Sequence, residues 1–176
     1  MLDLIQHDSE TAIEWMFRHY YAQLCRTVYR IIPQQETAED IVQDLFLSLW
    51  NKKESLQFNT SVQSYLRRSV VNKTLNYIRD QKIKFDQPDL LDDSPDRKAS
   101  AGDMLEANDL QKVIDNAVDN LPERCRIIFA LSRFEQLSHQ EIATELNISL
   151  KTVENQMTKA LKVLRADLEP YIKGNS

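Results

Sequence analysis

Lys151, Thr152, Asn155, Gln156 and Lys159 fall within nine residues at helical spacing and gather two ammonium groups, a hydroxyl and two amides. Amides and hydroxyls match the donor and acceptor pattern of base edges, and ammonium groups match phosphates. Val153, Met157, Leu161 and Leu164 supply an apolar side for the same helix, which leaves those five residues facing out. The chemistry they offer is recognition of duplex DNA. Glu154 is discordant, since phosphates repel a carboxylate; it either accepts from a cytosine amine or is simply solvated.

A second constellation lies upstream. Arg68, Asn72, Asn76 and Arg79 form one polar stripe along a helix, with Arg67, Lys73, Lys82 and Lys84 around it. Two amides in line with two guanidinium groups suit nucleic acid, and Phe58, Tyr65 and Tyr77 offer rings on which unpaired bases stack. An ordinary solvated helix face has the same composition, so the stripe alone fits either use. Nothing comparable points to catalysis. His7, His19 and His139 are scattered, with no nucleophile–base pair and no metal-ligand spacing, so neither a metal nor another cofactor is expected.

The elements that must position these groups are legible. Ser138 is placed to cap a helix, with Glu141 three residues later to complete a capping box. Ile142, Ala143 and Leu146 form its inward stripe. Asn147 stands at the turn, where a residue tolerant of positive φ is needed, and Ser149 caps the next helix. Leu137–Leu164 therefore reads as a helix-turn-helix, whose second helix is the one that enters the major groove. An amphipathic hairpin that only packs gives a similar pattern; the short Asn-Ile-Ser turn and the polar outer face favour DNA.

In the N-terminal half a first helix is expected over about 9–32, with Ile13, Phe17, Tyr20, Leu24 and Val28 inward and Pro33 ending it. A second helix is expected from Ala38 to about Lys52, capped by Thr37 with Asp40 in the capping-box position. Its apolar residues Ile41, Val42, Leu45, Phe46, Leu49 and Trp50 cover more than one face. That surplus fits a deep core or a partner-binding surface rimmed by Asp40, Gln43 and Asp44. After the loop 56–63 a long helix runs from Ser64 to about Lys82, with Leu66, Val70, Thr74 and Ile78 inward. Further helices are expected from about Leu105 to Val118 and from Pro122 to Phe134, the latter packed through Cys125, Ile128, Phe129 and Ser132.

The chain has 176 residues and only two glycines, Gly102 and Gly174, which excludes Gly-rich phosphate loops and dinucleotide fingerprints. Pro33, Pro88, Pro95, Pro122 and Pro170 fall between helical patterns. The expected fold is all-α: two small helical domains joined by an acidic flexible linker, the C-terminal one containing the helix-turn-helix. Cys25 and Cys125 have no partner motif and read as reduced, buried thiols of a cytoplasmic protein. The acidic N-terminus lacks a signal-peptide core, and no apolar run is long enough to insert in a membrane.

The net charge of −5 is unevenly placed. Residues 1–85 carry eleven basic against ten acidic side chains, residues 110–176 nine against nine, and residues 86–109 only two against eight. The acidity thus sits in one Pro- and Ser-containing segment of linker type, able to span on the order of 80 Å when extended. Near-neutral flanking domains imply feeble DNA binding at physiological salt unless a larger partner adds affinity. They also argue against the alternative of a stand-alone helix-turn-helix regulator, which must hold DNA unaided.

Three stretches in order, AEDIVQDLFLSLW (38–50), SYLRRSVVNKTLNYIRDQK (64–82) and LPERCRIIFALSRFEQLSHQEIATELNISLKTVENQMTKALKVLR (121–165), resemble the extracytoplasmic-function (ECF) sigma factors, small two-domain members of the bacterial sigma-70 family. The resemblance covers about Ile13 to Leu168. It implies a region 2-like domain over 1–85, an acidic linker over 86–105 and a region 4-like domain over 106–176. It further implies a non-enzymatic subunit that binds core RNA polymerase and directs promoter-specific initiation. Asp40, Gln43, Asp44, Phe46 and Trp50 would meet the polymerase clamp. Phe58, Asn59, Ser61, Arg68, Asn72, Asn76 and Arg79 would recognise and open the −10 element of promoter DNA. Lys151, Thr152, Asn155, Gln156 and Lys159 would read the −35 element, and the linker would thread through the positively charged channel of the polymerase. An anti-sigma factor, often membrane-anchored, is a further partner implied by the resemblance. Many members have Gly where Asn147 stands and basic residues where Glu154, Gln156 and Thr158 lie, so the promoter sequence stays open.

Overall fold

The computed structural model describes residues 9–55, 60–81, 83, 85 and 107–173. These residues form seven α-helices and a short 3-10 turn with no strand among them, in agreement with the all-α expectation. The chain divides into two compact units, Met1–Lys82 and Ile83–Ser176. The expected acidic linker, 86–105, lies outside the described residues.

The first unit is built from α1 (Ser9–Ile31), α2 (Gln35–Asn51), the 3-10 turn Lys53–Ser55 and α3 (Val62–Asp80). Each helix packs on the other two. Met16, Val28 and Ile31 of α1, Val42 of α2, and Leu66, Val70, Leu75 and Ile78 of α3 are almost fully removed from water. Each such side chain contributes about 1.5–3 kcal/mol of burial energy. α1 stops two residues short of Pro33 because proline disfavours helical backbone in the residue before it.

Two expected boundaries shift. α2 begins at Gln35, not Ala38, with Gln34 extended (φ −125, ψ 112) at its N-cap. Thr37 therefore does not cap; it sits in the first turn and donates to Gln34 Oε1 at 3.1 Å. Gln35 and Glu36 favour helix, and the Gln35 amide bonds Glu39 at 2.8 Å one turn on. α3 begins at Val62 rather than Ser64. Its cap is Ser61, whose hydroxyl accepts the Ser64 N–H at 3.2 Å and donates to the Ser64 hydroxyl at 2.8 Å.

The second unit holds α4 (Ala107–Asp119), α5 (Glu123–Arg133), α6 (His139–Leu146) and α7 (Leu150–Lys173). α7 packs on each of the other three. Leu121, Cys125, Ile127, Ile128 and Leu131 join Ile142, Leu146, Val153, Ala160 and Leu164 in its core. The packed side of α5 is wider than expected: Ile127, Ala130 and Leu131 are buried, while Phe129 and Ser132 are half-buried. The reason is that α5 contacts both α6 and α7. Arg126 closes the end of α4, its guanidinium donating to the carbonyls of Asp119 and Leu121 at 3.1 Å each. α7 runs through Pro170 instead of ending before it, so proline's missing N–H falls in the last turns. Of the two thiols, Cys125 is buried as expected and Cys25 is only half-buried.

Candidate nucleic-acid interface

The turn between α6 and α7 forms from local bonds. The Ser138 hydroxyl accepts the Glu141 N–H at 3.2 Å, and the Glu141 carboxylate accepts the Ser138 N–H at 2.8 Å. This completes the capping box, and the Ser138 hydroxyl and amide hold the Glu141 carboxyl below its ordinary pKa. At the far end Asn147 takes the left-handed conformation (φ 54, ψ 47), and Ile148 N–H returns to the Ala143 carbonyl at 3.0 Å. Ser149 then caps α7 by accepting the Thr152 N–H at 3.0 Å. A second positive φ, at Gln136 (57), turns the chain between α5 and α6; no glycine or asparagine in the sequence marks it.

On α7 the expected outer face divides. Lys151, Asn155 and Lys159 are exposed, and Glu154, Thr158, Lys162 and Arg165 share their side of the helix. Thr152 and Gln156 are not outward; they are 8% and 4% exposed. Thr152 is turned in by its bond to the Ser149 cap, hydroxyl to hydroxyl at 2.7 Å. Gln156 is turned in because its amide is satisfied inside: Oε1 accepts from the Cys125 thiol and its N–H donates to the Phe85 carbonyl, both at 3.2 Å. The buried row is Val153, Gln156, Ala160 and Leu164, and Leu161, expected inside, is 53% exposed. The helix is rotated relative to the simple apolar pattern. Lys162 and Arg165 are outward residues that the sequence pattern does not single out, although Lys162 stands one turn beyond Thr158 on the same side.

On α3, Arg68, Asn72, Asn76 and Arg79 are all exposed, and the Arg79 guanidinium donates to Asn76 Oδ1. The inward row Leu66, Val70, Thr74 and Ile78 is buried, with the Thr74 hydroxyl donating to the Val70 carbonyl at 2.8 Å. Tyr65 and Tyr77 are half-buried. Phe58 and Asn59 lie outside the described residues, and Ser61, joined to them by the family resemblance, is the exposed cap of α3.

A third face belongs to α2. Asp40, Gln43 and Asp44 are exposed in one row with Leu47, which is 58% exposed, and Trp50 beside them is 43% exposed. The Lys53 ammonium lies 4.4 Å from the Trp50 ring centroid. Phe46, expected in this face, is buried at 6% and meets the Phe17 ring edge-on with centroids 5.0 Å apart. A phenylalanine one position from the exposed row falls on the core side of the helix, and Leu47 takes its place in the open. The i, i+3, i+4, i+7 spacing from Asp40 was the signal that could have found Leu47. Behind the row, the Gln43 amide donates to the Tyr21 hydroxyl at 3.5 Å. That bond favours ionised Tyr21, but burial and the Cys25 thiol outweigh it and leave the phenol raised. Burial likewise raises Cys25.

Among the described residues no group of three or more His, Cys, Asp or Glu is arranged to hold a metal ion, and no helix is long and apolar enough to cross a membrane. The three faces thus present amides, lysines, arginines and an acidic-aromatic row. Two family profiles match the chain: Sigma-70 region 2 over residues 16–83 and Sigma-70, region 4 over residues 111–164. Among curated proteins the chain is similar to the ECF RNA polymerase sigma-E factor of Escherichia coli (strain K12), 21% identical over 182 aligned positions that cover 98% of this chain and 95% of that protein. The ECF RNA polymerase sigma-E factor of Haemophilus influenzae gives the same identity and coverage. Among solved structures, the sigma factor RpoE in complex with the anti-sigma factor NepR from Bartonella quintana is 18% identical at a TM-score of 0.49, covering 89% of this chain and 96% of that one. CnrH in complex with the cytosolic domain of CnrY is 18% identical at a TM-score of 0.46, covering 96% and 94%.

Proposed function

The chain belongs to the ECF group of sigma-70 factors, RNA polymerase sigma factors that direct promoter-specific initiation, and we propose how its residues divide that work. Residues 1–82 bind core polymerase and the −10 element, residues up to 105 link, with Phe85 belonging to the second unit rather than the first, and residues 106–176 read the −35 element. On α2 the row Asp40, Gln43, Asp44 and Leu47, with Trp50, docks on the polymerase clamp. Phe46 supports that row from the core. Asn72, Asn76, Arg79 and Arg68 of α3, with Phe58, Asn59 and Ser61 before it, hold the −10 strand as it opens. Capture of unstacked bases supplies the opening energy without ATP. Lys151, Asn155 and Lys159 of α7 face the −35 element, joined by Thr158 and Lys162.

The observation that carries this assignment is the position of Asn147. It sets α6 and α7 as a helix-turn-helix and leaves Lys151, Asn155 and Lys159 exposed opposite a buried row. The protein carries no catalysis of its own and works in the cytoplasm, where polymerase supplies the chemistry. An anti-sigma partner belongs to the proposal on the family resemblance alone.

The test is size-exclusion chromatography of the protein with bacterial core RNA polymerase, followed by transcription on genomic fragments. Co-elution with new discrete transcripts is the expected result. Absence of co-elution together with tight promoter binding by the protein alone would overturn it in favour of a stand-alone regulator.

A further inference from the structure

Gln156 is a buried amide on the helix proposed to read DNA, and it does no capping. It is 4% exposed, and its two partners come from distant parts of the unit Ile83–Ser176. Cys125 of α5 donates its thiol proton to Oε1, and the Gln156 N–H reaches the backbone carbonyl of Phe85, 71 residues earlier. Phe85 is itself buried at 5%, so the segment that enters the acidic stretch is anchored by a ring as well as by a bond. Burying an amide is unfavourable unless both its ends are satisfied, whereas methionine or leucine would fill a similar volume without that demand. What the amide adds is direction. Apolar rows tolerate small rotations about a helix axis; a side chain bonded at both ends does not.

We propose that Gln156 is a positioning residue that couples the Phe85 segment to the rotational setting of α7, and so to the aim of Lys151, Asn155 and Lys159. The coupling rests on the proposed role of α7. When the Phe85 backbone leaves its place, Gln156 loses its acceptor, and the bond to Cys125 alone holds the amide. Promoter discrimination then depends on a residue far from the reading helix in sequence.

The test uses the full chain in a Cys25→Ser background, so that Cys125 is the sole thiol. Gln156→Met and Phe85→Ala are compared with the parent by limited trypsin cleavage after Lys84, which needs the buried Phe85 to leave its place, and by alkylation of Cys125 with iodoacetamide. Transcription with core polymerase follows, on promoters with an intact or a substituted −35 element. In Gln156→Met, cleavage after Lys84 is expected to quicken about tenfold, the scale of one lost buried hydrogen bond on the Phe85 carbonyl, and Cys125 to alkylate faster. Both variants should lose several-fold in discrimination between the two promoters while core binding is unchanged. A variant that merely destabilised the fold would lower transcription from both promoters alike.

Parental cleavage and alkylation in Gln156→Met would overturn the latch. Faster cleavage with full discrimination would overturn the coupling. Phe85→Ala keeps both informative if Gln156→Met fails to fold. Asn155→Ala runs alongside: if it too leaves discrimination intact, α7 does not read the promoter. That outcome overturns the coupling and the assignment of α7, while the latch is judged on cleavage and alkylation.

Discussion

Asn147 holds a conformation that costs most L-residues about 1–2 kcal/mol and that asparagine adopts more readily. Asn147→Ala should therefore lower unfolding free energy by about 1 kcal/mol, while Asn147→Gly should leave it near the parent value; urea denaturation decides. Glu141 and Asp119 carry opposite pH signatures. The Glu141 carboxyl is held low in the folded state, so its stabilisation is present above the unfolded pKa and is lost as pH falls through the folded value. Burial raises Asp119, an effect Arg126 offsets in part and Asp115 reinforces, so its contribution is present below the unfolded pKa and lost as pH rises through the folded one. Melting temperatures between about pH 3 and 7 should show a shallower decline toward acid pH in Glu141→Gln and a smaller loss on raising the pH above the ordinary aspartate range in Asp119→Asn. The capping box, Asn147 and the Ser149 cap were all legible in the sequence because each works through neighbours no more than five residues away. The inward turn of Gln156 was not, because its partners lie 31 and 71 residues off. Nor was the positive φ of Gln136, a residue type that does not announce one.

At the scale of the helix, α2 separates two roles that the sequence had merged. Its surplus of apolar residues resolves into a core row ending in Phe46 and Leu49 and an open edge of Leu47 and Trp50. Phe46→Ala should cost about 3–5 kcal/mol of stability, as truncation of a buried aromatic does. Leu47→Ala should change stability by less than about 0.5 kcal/mol and Trp50→Ala, which loses a half-covered ring and its Lys53 contact, by about 1 kcal/mol, and both should weaken co-elution with core polymerase. Equal loss of stability in all three, by thermal unfolding, would remove Leu47 and Trp50 from the docking face. On α3 the four-residue inward row was readable because a periodic apolar stripe left only one way to pack it. The start of α2 was misplaced because Thr37, a good cap by type, lies within reach of Gln34, and Gln35 and Glu36 carry the helix further.

For the whole molecule, charge sets the terms of DNA binding. With nine basic and nine acidic side chains over residues 110–176, the C-terminal unit has no net attraction for phosphate to hold a promoter unaided. Promoter affinity should be weak for the isolated chain and strong for the complex with polymerase, as fluorescence anisotropy at physiological salt would measure. Within that complex, Lys159→Gln should reduce the slope of log affinity against log salt by about one without altering sequence preference. The two-part helical plan was visible from periodicity, proline placement and the one acidic segment. The rotation of α7 was hidden, since a pattern of residue types treats every glutamine as an outside residue.

That rotation bears on how a regulatory circuit is inherited. Positions 151, 155, 158 and 162 lie on the open side of α7, where replacements typically shift stability by no more than about 0.5 kcal/mol. Positions 153, 156, 160 and 164 are committed to the interior. On the proposed assignment of α7 to the −35 element, a lineage can therefore respell its promoter preference one outward letter at a time, with the fold indifferent to the change, and duplicated copies can drift to separate gene sets without first acquiring spare stability.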